Sequence, residues 1–249
     1  MLFRSDKKLD PQNTFVFFTS DHGAQLPFGK WNLYDAGLRV PLIVKGPGVK
    51  ANAKTDAMVS WIDILPTLVE LAGGTPPTDI DGRSFAAVIR GEKQSHRDEI
   101  YATHSGDREF NVYPIRCLRT AGWKYILNLH PEFQYATHIN RGGDRDGLEY
   151  FRSWEEAAKT DSRALQIVQR YKERPREELY DLAADPHELN NLADKPEHAD
   201  RLAQMRAKVA AWMKDQNDQG TVFNQPLLTG QDATQLPTQV GKAKAKAAK

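Results

Sequence analysis

Two short apolar runs, Thr14 to Thr19 and Val40 to Val44, constrain the fold of this chain more than any other feature. Each is rich in β-branched and aromatic residues, and each is closed by a turn signal, "SDHG" after the first and "KGPG" after the second. Unbroken apolarity over so few residues predicts strands buried on both faces, as in a parallel sheet. The connection between them is a loop punctuated by Gly and Pro that holds Asp21, His22, Lys30, Asp35 and Arg39. Ligands of open α/β sheets bind beyond the carboxyl ends of strands, so polar residues just past Thr19 are candidates for a site.

"SWIDILPTLVELAGG" predicts a helix capped by Asp63, with Pro66 in its first turn and Gly73-Gly74 at its end. Its apolar face is Ile64, Leu65, Leu68, Leu71 and Ala72, expected against the sheet. "DGRSFAAVIRGE" predicts a turn and a short helix. From Glu99 the texture changes: "EIYATH", "YPIRCLRT" and "WKYILNL" alternate as in an antiparallel sheet with one wet face. Ser153 to Lys172 is helix-prone, "EELYDLAADPHELNNLA" gives a strand and a Pro-marked turn, and "HADRLAQMRAKVAAWMKDQ" an amphipathic helix. In that helix Leu202, Met205, Val209, Trp212 and Met213 form a core stripe. Beyond Asp215 the chain is rich in Gln, Thr, Gly and Lys, as disordered segments are. The expected class is α/β: part of a parallel sheet with helices over residues 1–95, then a smaller α+β unit with an antiparallel sheet and a C-terminal helix over 96–215, then a disordered tail over 216–249.

Composition removes some functions. With 34 basic against 33 acidic residues the chain has no dedicated nucleic-acid surface, and the terminal "GKAKAKAAK" reads as a solvated tail. One cysteine, Cys117, excludes an internal disulfide and a multi-cysteine zinc site; it reads as a small buried hydrophobe. No segment has the long apolar run of a membrane helix, and the first residues lack the order of a signal peptide.

Asp21 and His22 can both face one cation. The carboxylate suits Ca²⁺ or Mg²⁺ and the imidazole suits Zn²⁺ or Mn²⁺, although two donors alone hold no ion tightly. Lys30 places a compact charge that suits a sulfate or phosphate. The plain alternatives are an Asx turn at Asp21, a hydrogen-bonded His22 and a solvated Lys30.

"FFTSDHG", "FGKWNLYDAGLRVPLIVKGPG", "WIDILPTLVELAGG", "DGRSFAAVIRGE", "YPIRCLRTAGWKYILNL" and "ELYDLAADPHELNNLA" occur in this order from Asn13 to about Trp212. Together they resemble the sulfatase family of the alkaline phosphatase superfamily, most of all its sulfamidase branch, which hydrolyses the N-sulfate of glucosamine in heparan-type glycans. The resemblance implies an alkaline-phosphatase-like fold and a sulfated carbohydrate as substrate. It implies that Asp21 and His22 bind one divalent cation, Ca²⁺, that Lys30 contacts the sulfate, and that His104 contacts substrate. It also implies a periplasmic or secreted location for a full-length member. His22 departs from the Asp-Asn pair of human lysosomal members, keeping a ligand with nitrogen in place of oxygen.

The family attacks sulfur with a formylglycine made from a Cys/Ser-x-Pro-x-Arg motif, and no such motif occurs in these residues. The expectation is therefore a C-terminal portion whose N-terminal sulfatase half is missing, inactive by itself. Rival readings are a phosphonate or phosphodiester hydrolase of the same superfamily and a non-catalytic binding protein. Arg39 reads as a residue that steadies its loop or reaches substrate, and Asp35 as a turn residue. Arg116 and Arg119 face a partner domain or a sugar; His130 and His138 read as surface, His187 as exposed turn.

Overall fold

The structure is a computed structural model that describes residues 10–141 and 147–231; the terminal Lys/Ala run lies outside them. The chain divides into two compact units, residues 1–21 with 40–100 and residues 22–39 with 101–249. The candidate loop, expected with the first apolar runs, thus belongs to the later unit, and it ends in one short helical turn, α1 (Asp35–Leu38).

In the first unit, strands β1 (Val16–Thr19) and β2 (Leu42–Lys45) pair with Phe17 opposite Val44 and Phe18 opposite Ile43. The α/β class holds for the chain, but this pairing is antiparallel and corrects the parallel expectation. Apolar runs record that a strand wants cover, not which neighbour it takes. Here the two strands form a sheet of their own, and Val16, Phe18 and Ile43 lie 48%, 60% and 61% exposed.

A 3₁₀ turn at Trp61–Asp63 leads into α2 (Ile64–Leu71), and α3 (Ala86–Ile89) follows. The face of α2 that is buried is not the apolar one. Asp63, Pro66 and Thr67 are covered, whereas Leu65 and Leu68 are exposed. The reason is polar: Asp63 accepts from the backbone of Ser60 and Arg83 at 2.9 Å each and from Arg97 Nε at 2.7 Å. Thr67 Oγ1 accepts from the Phe85 amide at 3.0 Å and donates to the Asp63 carbonyl at 2.6 Å. A buried carboxylate must be satisfied, so these bonds fix which side of the helix turns inward.

The second unit is built on an antiparallel sheet in the order β3 (Glu99–His104), β4 (Ile115–Thr120), β5 (Trp123–Asn128) and β6 (Glu177–Asp181), the unit boundary falling inside β3. Cys117 opposes Ile126 and Tyr125 opposes Leu179. The sheet has no wet face, a correction to its alternating reading. Ile115, Cys117, Ile126 and Tyr180 pack on Tyr34, Tyr135, Phe151 and Tyr171, and Leu118, Tyr125 and Leu179 on Leu202, Met205 and Val209. The helices α4 (His138–Arg141), α5 (Leu148–Ala157) and α6 (Ser162–Lys172) lie between β5 and β6 in sequence. Leu202, Met205 and Val209 come from α7 (Ala199–Asp215), whose predicted stripe covers the second face.

The stretch after α7 is not wholly disordered, another correction. Leu227 is buried, its carbonyl accepts from the Gln134 amide at 2.7 Å, and Asp218 accepts from Arg116 Nη2 at 2.8 Å. Polar composition hid one apolar anchor and one buried ion pair.

Candidate functional site

The loop of residues 22–39 carries the candidate His22, Lys30 and Arg39 and is held tightly to its own unit. The Gly23 amide donates to the Gly37 carbonyl at 3.0 Å. A Cβ at Gly23 would lie 1.8 Å from the Ala36 carbonyl oxygen, so glycine is needed for close approach rather than for a left-handed turn. Lys30 is flanked by two aromatic residues that do adopt the left-handed region, Phe28 at φ 64° and Trp31 at φ 68°. Such conformations cost of order 1–3 kcal/mol for a side chain of this kind and persist only where surrounding contacts impose them.

Those contacts are visible. Trp31 Nε1 donates to Asp107 Oδ2 at 2.8 Å, and its ring stacks on His138 at 5.0 Å, which stacks in turn on Phe110 at 3.9 Å. Lys30 Nζ lies 4.6 Å from the Trp31 ring centroid, a cation–π contact that directs the ammonium along this stack. His138, expected at the surface, is instead the middle layer of the stack. Asn32 Oδ1 accepts from the buried Arg174 at 2.6 Å, and Tyr34 donates to Glu178 Oε2 at 2.7 Å.

Asp35 is no simple turn residue. Arg119 Nη2 reaches Asp35 Oδ2 at 3.0 Å, and the fully buried Lys124 lies 2.5 Å from Asp35 Oδ1 and 2.8 Å from Glu188 Oε1. The Asp35 amide also donates to Glu188 Oε2 at 2.6 Å. Burial pushes the Asp35 carboxyl up, but hydrogen bonds from Arg119 and Lys124 outweigh it and hold it below its ordinary range. Burial lifts the Glu188 carboxyl instead, against the pull of Lys124. Glu188 belongs to "DPHELNN", whose residue types suggest an exposed turn. His187 is exposed as expected; its neighbour, at φ 54°, turns inward. Nothing in residue type distinguishes the two, since the inward turn is a backbone event.

Of the remaining candidates, Asp21 and Arg39 are exposed. His22 Nδ1 lies 2.7 Å from the Gly23 carbonyl, which can only accept, so Nδ1 carries a proton. A cation would then bind through Nε2 of the neutral ring. His104 Nε2 lies 2.7 Å from Asn111 Oδ1, while Asn111 Nδ2 donates to the Ala136 carbonyl at 2.8 Å. The amide is oriented by that second bond, so His104 donates from Nε2. Burial pushes the His104 pKa down and keeps the ring neutral, so its contact with a ligand would be polar and not ionic. Arg116 and Arg119 spend their guanidinium groups inside the unit, on Asp218 and Asp35. Burial lifts the Cys117 thiol to about 11, which excludes it as a nucleophile at neutral pH. Among the described residues no three His, Cys, Asp or Glu come together to hold a metal ion.

Residues 22–138 match the family model of the N-sulphoglucosamine sulphohydrolase C-terminal region. An ulvan-active sulfatase of Formosa agariphila is 31% identical over 209 residues, covering 83% of this chain and 38% of that protein. The chain belongs to the sulfatase family, matching the C-terminal region of its members. Human N-sulphoglucosamine sulphohydrolase is 27% identical, with 83% of this chain and 42% of the human protein covered. A solved 2-O GAG sulfatase superposes with a TM-score of 0.59 at 27% identity, covering 83% of this chain and 37% of that one. The fold is also shared at 23% identity, with a TM-score of 0.60, by a protein solved in complex with its substrate D-glucosamine-2-N,6-O-disulfate; 84% of this chain and 36% of that one are covered. A phosphonate monoester hydrolase from Silicibacter pomeroyi shares the fold at 19% identity, with a TM-score of 0.53 over 83% of this chain and 36% of its own. This chain spans 38% and 33% of the length of the two curated relatives it matches first.

Proposed function

We propose that this chain provides the sulfate-contacting loop and the C-terminal subdomain of a hydrolase acting on a sulfated sugar, with the N-sulfate of glucosamine as the substrate it suits best. The observation that carries the reading is the rigid presentation of Lys30. The ammonium lies over Trp31, between two left-handed aromatic residues, in a loop locked by Asp107, Glu178 and Glu188. Preorganised charge of this kind stabilises a sulfuryl group in transit without reorganising during the reaction. The family match over residues 22–138 contains Lys30, Arg39 and His104, and a structural neighbour binds a disulfated glucosamine.

Asp21 and His22 fit two positions of a divalent cation shell and no more. The neutral His22 ring suits an ion at Nε2, and Ca²⁺ is the proposed ion. A bound cation would neutralise charge on the sulfate oxygens. Lys30 supplies charge from this chain, His104 supplies a neutral polar contact through its ring, and Arg39 supplies an exposed guanidinium at the end of the loop. The attacking group belongs to the region of the relatives that this chain does not span, because no Cys/Ser-x-Pro-x-Arg occurs in its 249 residues.

The test is sulfate release from glucosamine N-sulfate and glucosamine 6-sulfate, set against alcohol release from a phenylphosphonate monoester. It uses this chain alone and this chain fused behind a sulfatase N-terminal region that carries formylglycine. The fusion is expected to release sulfate from the sugars in preference to cleaving the phosphonate, and Lys30→Ala to lower kcat/KM by about 10²–10³-fold. Turnover by the chain alone, preference for the phosphonate, or an unaffected K30A variant would each overturn the reading.

A further inference from the structure

Immediately beyond His104 the chain makes a cleft that no residue proposed above for catalysis lines. Its volume is about 290 Å³, and Ser105, Gly106, Arg108, Asn111, Phe223 and Asn224 contribute to its walls. That lies at the lower end of small-ligand sites and suits one sugar ring rather than a length of chain.

The floor is fixed. The Asp107 amide donates to the Asn111 carbonyl at 2.7 Å and the Phe110 amide to the Asp107 carbonyl at 3.1 Å, which closes residues 107–111 into a tight turn. Gly106 crosses beneath it at φ 154°, where a Cβ would lie 2.7 Å from the Asn111 carbonyl oxygen. Only glycine leaves this floor open. The turn is anchored from behind by Asp107 on Trp31 and by Asn111 on Ala136.

The rim is unusual for a soluble surface. Phe223 lies 75% exposed, although its neighbour Val222 packs against the core and Leu227 is buried. An aromatic ring left in water beside a cleft forgoes the stabilisation that burial would supply. Opposite chemistry accompanies it: Arg108 is exposed at φ 52°, and the Asn224 side-chain oxygen accepts from the Gln225 amide at 2.8 Å, which orients the amide group. An apolar ring face, a guanidinium fork and an oriented amide are the three groups that recognise a sulfated pyranose. The ring covers its C–H face, the fork takes the sulfate oxygens, and the amide takes a hydroxyl.

We propose that this cleft is a saccharide subsite that seats one sulfated ring of an oligosaccharide, with Phe223 as stacking platform and Arg108 as sulfate contact. It rests on the sulfated-sugar reading above and adds the residues that would choose among such sugars.

Isothermal titration of the full 249-residue chain tests it, with a heparin-derived tetrasaccharide, its chemically desulfated counterpart and inorganic sulfate as probes. The sulfated tetrasaccharide is expected to bind, with Phe223→Ala weakening it about tenfold. Arg108→Gln is expected to bring its affinity to that of the desulfated probe. Both side chains are exposed, so both variants should melt with the wild type. Absence of binding, equal binding by the two variants and the wild type, or displacement of the tetrasaccharide by equimolar inorganic sulfate would overturn the subsite. In the fusion described above, sulfate release unchanged by F223A would sink the subsite and leave the activity. Phe223-dependent binding without any release would do the reverse.

Discussion

The two units of this protein handle apolar and charged side chains in opposite ways. In the second, large apolar residues fill both sides of a four-stranded sheet, and a charge network is buried with them. In the first, several large apolar residues lie exposed, Trp61 and Leu65 among them, while a carboxylate, Asp63, is fully buried beside Thr67. The lesson concerns what holds each together. The second unit is a hydrophobic core with polar pins that fix one loop. The first is a polar node around which short elements are arranged, with apolar surface left over for something else to cover.

Three measurements would break or sharpen that contrast. Lys124→Met should have the largest effect, since it leaves Asp35 and Glu188 facing each other with one buried cation fewer. The expected loss is about 3–5 kcal/mol in denaturant unfolding followed by Trp fluorescence, which reports mainly the second unit. Adding Glu188→Gln should recover part of that loss. A cost no greater than that of a surface substitution would mean that the network is ornamental.

Asp63→Asn comes next, at about 2–3 kcal/mol, because charge-assisted bonds from Arg97 and two backbone amides weaken together. Trp61, the one tryptophan of the first unit, would report it. The sign with pH follows from the site. Burial raises the Asp63 pKa, yet Arg97 and the amides outweigh burial and hold it below 3.8. Its stabilisation is therefore complete above pH 3.8 and is lost as pH falls through the lower, folded value. The variant should show a flatter acid limb. An acid limb as steep as that of the wild type would place the polar node elsewhere.

Phe18→Lys should have the smallest effect on stability, within about 0.5 kcal/mol, because the side chain is already in water. It should nonetheless reduce self-association in sedimentation velocity, since it breaks an exposed apolar sheet face. A large stability loss would show that Phe18 is buried in solution and that the contrast between units is overstated.

Much of the fold is legible in the order of residues alone. Amphipathic spacing places α7 and its stripe of Leu202, Met205 and Val209, because a helix period and a core face are local properties of sequence. The Pro-marked turn in "DLAADPHE" places the end of β6 for the same reason. Ordered motifs identify the family and bring Lys30 and His104 forward as candidates. What the sequence hides is every contact made at long range. Asp35, Glu188 and His138 look like turn or surface residues because nothing adjacent to them marks them as buried. Their partners, Lys124, Asp35 and Trp31, lie 89, 153 and 107 residues away in the chain (124−35, 188−35, 138−31). The direction of pairing between β1 and β2, and the outward turn of Leu65, are likewise settled by partners and not by propensity. Local chemistry thus determined which elements form and which loop carries Lys30, the proposed sulfate contact. The tertiary structure alone decided how that loop is held, because a buried ion pair exists only once both of its ends have been brought together.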